Sequence, residues 1–124
     1  GAFGRMLDVY GHVVKAVVTD PSADVLMLQF MVNNFPRNSR LGEREVYVET
    51  LVEMLAELKR GCDKPIVCVL PRVVENRAEL EGERIDFISR VHEIGIPTFP
   101  TVERASLAIH RLWRYNEFLK SVRK

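Results

Sequence analysis

Few side chains in this sequence are of a type that does chemistry, and they are scattered. His12, His92 and His110 lie far apart, each inside a helical pattern, where a surface or partly buried structural role is the plainer reading. Cys62 and Cys68 are the only cysteines. They lack the close pairs of zinc and redox motifs, so packed or exposed thiols are the simpler reading. There is no glycine-rich phosphate loop, no metal-ligand spacing and no nucleophile elbow. No residue earns a catalytic or metal-binding role. What remains is anion contact. Asn33, Asn34, Arg37, Arg40, Arg72 and Thr101 fall in three short segments, 31–40, 71–77 and 100–101. Arginines and helix N-termini both favour negative charge, so these residues make a candidate rim for a nucleotide or small anion. The plainer reading is solvated loops with capping side chains.

The elements that must hold this rim alternate in type. Apolar residues at 6, 7, 10, 13, 14 and 17 share one helical face, and Asp20-Pro21-Ser22 turns the chain after them. Residues 25–32 are apolar except for Gln29, which suits a strand covered on both faces. A helix is predicted over 43–60, facing inward with Val48, Leu51, Leu55 and Leu58, beside Val52 and Met54, and stopped by Gly61. A second buried strand is predicted over 65–70. A helix over 78–94 then carries Leu80, Ile85, Ile88, Val91 and Ile94 on one face.

The stretch from Gly95 to Ala105 is the most informative. Gly95 can close a helix in the left-handed conformation. Residues 96–99 form a third strand, short or at an edge because Pro97 and Pro100 bracket its centre. Thr101 can cap the last helix, with Glu103 placing negative charge in its first turn. That helix, over 102–122, has Val102, Ala105, Ile109, Leu112, Tyr115, Leu119 and Val122 as its stripe. Trp113, Tyr115 and Phe118 suit packing or a partner surface better than a cofactor site.

The order αβαβαβα implies an α/β fold of three layers: a small parallel sheet of about three strands with helices on both faces. Three strands are few for such a sheet, so an exposed edge, or one covered by another chain, is expected. All 124 residues fit one domain. With 47% hydrophobic and 28% charged residues the chain is globular rather than disordered. A net charge of +1 gives no electrostatic case for nucleic acid. No apolar run approaches the ~20 residues that span a bilayer. The start, Gly1-Ala2-Phe3-Gly4, lacks Met and reads as a processed or excised end. Two reduced thiols point to the cytoplasm.

Asp20-Pro21 with Asp24-Val25-Leu26-Met27-Leu28, then Lys64-Pro65-Ile66-Val67-Cys68-Val69, and above all Gly95-Ile96-Pro97-Thr98-Phe99-Pro100-Thr101 followed by Glu103-Arg104-Ala105, Leu112 and Tyr115, form a recognisable series. Together they resemble the C-terminal part of the ligase-CoA, flavodoxin-like domain of NDP-forming acyl-CoA synthetases and, more distantly, of succinyl-CoA synthetase. The resemblance runs over about residues 7–119 and covers only about half of that domain; the preceding strands and helices would lie upstream of Gly1. It implies a place in a multi-step reaction that makes acyl-CoA, NDP and phosphate from an acid, CoA and NTP. CoA, NTP and magnesium are implied for the parent enzyme and none for this chain. The implied partners are CoA-binding and ATP-grasp domains or subunits, and a homodimer is possible.

The sequence departs from the family in its central chemical feature. The family's phosphohistidine sits in a Gly-His-x-Gly loop, whereas His12 follows Gly11 but leads into Val13-Val14 within an apolar helix. The loop after residue 32 is Asn33-Asn34-Phe35-Pro36 instead of glycine-rich. The isolated chain is therefore expected to be inactive, supporting the phosphohistidine loop and contacts between domains. The alternative is a stand-alone flavodoxin-like module binding a nucleotide or anion at Asn33, Asn34, Arg72 and Thr101. A phospho-acceptor signalling domain ranks below both, because no strand ends in the Asp that its chemistry needs.

Overall fold

The computed structural model describes residues 24–36, 42–72 and 78–123. The helix expected over 6–18, with His12, and the loop residues Arg37 and Arg40 lie outside the described residues. The described chain has three strands and three long helices: β1 (Leu26–Gln29), α1 (Glu43–Gly61), β2 (Ile66–Val69), α2 (Ala78–Glu93), β3 (Thr98–Phe99) and α3 (Val102–Val122). The strands form one parallel sheet in the order β1-β2-β3, with Leu28 opposite Cys68 and Cys68 opposite Thr98. This is the α/β layering expected from the alternation of elements, consistent with part of a flavodoxin-like fold.

Side-chain alternation along β2 divides the core between the two faces. Ile66, Cys68 and Leu70 meet Leu51 and Leu55 of α1 and Phe87 and Val91 of α2. Val67 and Val69 point the other way, onto Ala105 of α3, with Met27, Phe99 and Ile109 around them. One face thus carries two helices and the other, among the described residues, one.

The strands are shorter than the apolar runs that announced them. β1 stops at Gln29, and Val32–Asn34 closes into a 3-10 turn. Phe30, Val32 and Phe35 are nevertheless buried, because the turn lays them against α2. The Phe87 ring meets Phe30 edge-on at 5.9 Å and Phe35 at 5.3 Å. β3 has two residues; Pro97 and Phe99 give their carbonyls to Cys68 and Leu70 of the neighbouring strand segment. Gly95 takes φ +83° and ends the α2 turn as expected. Gly61 does not act as a left-handed stop: it is the last residue of α1, and the chain leaves through extended Cys62.

Two helix faces also differ from their sequence pattern. On α2 the buried set is Leu80, Arg84, Phe87 and Val91, whereas Ile85 is exposed. On α3 only Ala105 is buried; Leu112, Tyr115 and Val122 of the expected stripe are exposed.

Candidate functional site

The sheet brings three of its segment ends to one side. In a parallel α/β sheet this is the carboxyl side, where ligands ordinarily bind. Asn33 and Asn34 close the 3-10 turn after β1, and Arg72 stands exposed two residues beyond Leu70. Thr101 follows β3. The fold therefore gathers the expected rim at one end of the sheet. Thr101 is the N-cap of α3, its Oγ1 accepting from the backbone N–H of Arg104 at 3.1 Å. The capping reading of this residue is the one the geometry shows.

Beneath the rim lie two arginines that the pattern of apolar residues did not single out. Arg84 is buried on the inner face of α2. Its Nε donates to the Leu70 carbonyl at 3.0 Å, and its Nη1 pairs with Glu81 at 2.7 Å. Arg44, buried in the first turn of α1, sits 5.5 Å over the Phe35 ring and pairs with Glu83 at 3.1 Å. Its Nη1 also reaches the Pro36 carbonyl at 3.4 Å. Each guanidinium is thus committed to a carboxylate and a backbone carbonyl, tying α1 and α2 to the ends of β1 and β2. A readable signal existed for Arg84: positions 80, 84, 87 and 91 keep helical spacing through the arginine.

The histidines and cysteines remain apart. His92 Nε2 lies 2.9 Å from Thr98 Oγ1, locking the end of α2 to β3. His110 stacks on Trp113 on the outer side of α3, with ring centres 6.2 Å apart. Both cysteines are free thiols. Cys68 is fully buried between the layers, and burial pushes its pKa from 9.0 up to about 12, so it is an inert, protonated thiol near neutrality. Cys62 Sγ contacts the Lys64 carbonyl at 3.5 Å. Among the described residues no group of three or more His, Cys, Asp or Glu is placed to hold a metal ion. No described helix is long and apolar enough to cross a membrane.

Among the described residues an apolar concavity lies elsewhere. It is a groove of about 510 Å³ at the amino ends of the strands, on the face that, among the described residues, α3 covers alone. Val25, Val67 and Phe99 contribute from the sheet side, and Ile109, Leu112 and Trp113 from α3. Lys59 closes one end, donating to the Gly95 carbonyl at 2.7 Å and so capping the turn after α2. Among the described residues that line it there is no array of acids, bases or nucleophiles, and the lining is mostly apolar.

Fold and site together define, among the described residues, a parallel α/β domain with Asn33, Asn34, Arg72 and the helix-capping Thr101 at one end of its sheet and an apolar groove beside α3. A scan of protein-family models and searches of curated proteins and of solved structures return no match to the chain.

Proposed function

We propose that the chain is a non-catalytic interaction domain of an NDP-forming acyl-CoA synthetase. It supports the phosphohistidine loop and contacts the CoA-binding and ATP-grasp parts of that enzyme. The observation that carries the interaction role is α3: Leu112, Trp113, Tyr115 and Phe118 are 56–59% exposed on a helix that borders the apolar groove. Exposed aromatic and aliphatic residues grouped in this way favour a macromolecular contact over a small-molecule site. The synthetase assignment is supported by the resemblance of the segment 95–105 with Leu112 and Tyr115, and a cytoplasmic location belongs to the same reading.

Two measurements test it. Calorimetry of the chain with CoA, ATP, ADP and FMN is expected to give no binding heat; saturable binding of any of them would favour the anion- or nucleotide-binding alternative at Asn33, Asn34, Arg72 and Thr101. Mixing the chain with the CoA-binding and ATP-grasp modules of a synthetase of this family is expected to raise acid- and CoA-dependent release of phosphate from NTP. A rate unchanged by the chain counts against the synthetase role.

A further inference from the structure

We draw no further inference here: the strongest candidate, the apolar groove between α3 and the amino ends of the strands, carries none, because the helix expected over 6–18 lies outside the described residues and nothing among the described ones shows what covers that groove.

Discussion

Thr101, Gly95 and Cys68 each do a structural job that a single substitution isolates. The Thr101 hydroxyl satisfies the Arg104 N–H at the start of α3. Thr101→Ala is expected to cost about 1 kcal/mol and Thr101→Ser almost nothing, read from urea unfolding. A fully neutral Thr101→Ala would return this residue to the list of ligand contacts. Gly95 is held at φ +83°, and a Cβ there would run into the Lys59 ammonium group that caps the turn. Gly95→Ala is therefore expected to cost about 1–2 kcal/mol, of which Lys59→Met in the same chain recovers only the part due to the clash. Cys68 supplies a pH dependence. Its thiol is neutral when protonated, and burial raises its folded pKa to about 12 from 9.0. Below pH 9 both folded and unfolded thiols keep their proton, and the contribution is present in full. Between pH 9 and 12 the unfolded thiol ionises first, so stability falls by up to about 1.4 kcal/mol per pH unit. Tyr47, raised by burial as well, acts in the same direction at the upper end. Unfolding free energies at pH 8, 9, 10 and 11 are expected to fall less steeply in Cys68→Ala; parallel curves for the two proteins would show that Cys68 does not supply the slope.

At the scale of elements, Arg84 holds α2 to the end of β2 through the Leu70 carbonyl. Arg84→Met keeps the apolar stem but leaves that buried carbonyl without its donor, which is expected to cost about 1–3 kcal/mol. Arg90→Met, on the same helix but without the carbonyl bond, is expected to cost little in the same denaturation series. Equal losses at the two positions would mean that the tether contributes nothing of its own. Arg84 also shows what the sequence could and could not disclose. Apolar spacing located α1, α2 and α3 to within a residue at either end, because long amphipathic periods are redundant signals. It misjudged the inner face of α2, taking Ile85 in preference to Arg84 and Phe87. Residue type alone hides that a guanidinium can be buried when a carbonyl and a carboxylate wait for it. It overextended β1 through Phe30 and Val32 because apolar content reports burial and not backbone shape; those side chains are buried from a 3-10 turn. The end of the sheet carrying Asn33, Asn34, Arg72 and Thr101 was legible from the order of strands and helices. The groove was not, since it joins Val25, Val67 and Trp113 from distant parts of the chain, and no local pattern brings them together.

Among the described residues of the molecule the two faces are unequal in length, cover and charge. α3 has 21 residues and extends for about 31 Å, whereas the four residues of β2 span about 13 Å. More than half of the helix must therefore overrun the strand beside it, which accounts for Tyr115, Phe118 and Val122 remaining exposed although they keep helical spacing. β1 adds an open edge. Leu26 and Phe30 give their N–H groups to the β2 side, so the alternate residues Met27 and Gln29 aim theirs outward, where no described strand pairs with them. α1 and α2 carry an excess of Glu and Asp, while α3 carries an excess of Arg and Lys, so a near-neutral chain is divided into an acidic and a basic face. A stable core lies on the acidic side, around Leu55, Phe87 and Cys68, and the proposed interaction role falls to the basic side. These roles predict opposite responses to substitution. Leu55→Ala empties a fully buried site and is expected to cost about 2–5 kcal/mol. Replacing Tyr115, Phe118 and Val122 together by Lys is expected to change stability by less than about 0.5 kcal/mol per site, because exposed side chains lose little on removal. The same triple variant is expected to bind less of a hydrophobic dye and to elute from a gel-filtration column with less retention. Chemical denaturation of the two variants beside the parent chain checks both halves. If the lysine variant loses as much stability as Leu55→Ala, the outer flank of α3 belongs to the folded core, and the division between a stabilising face and an associating face is wrong.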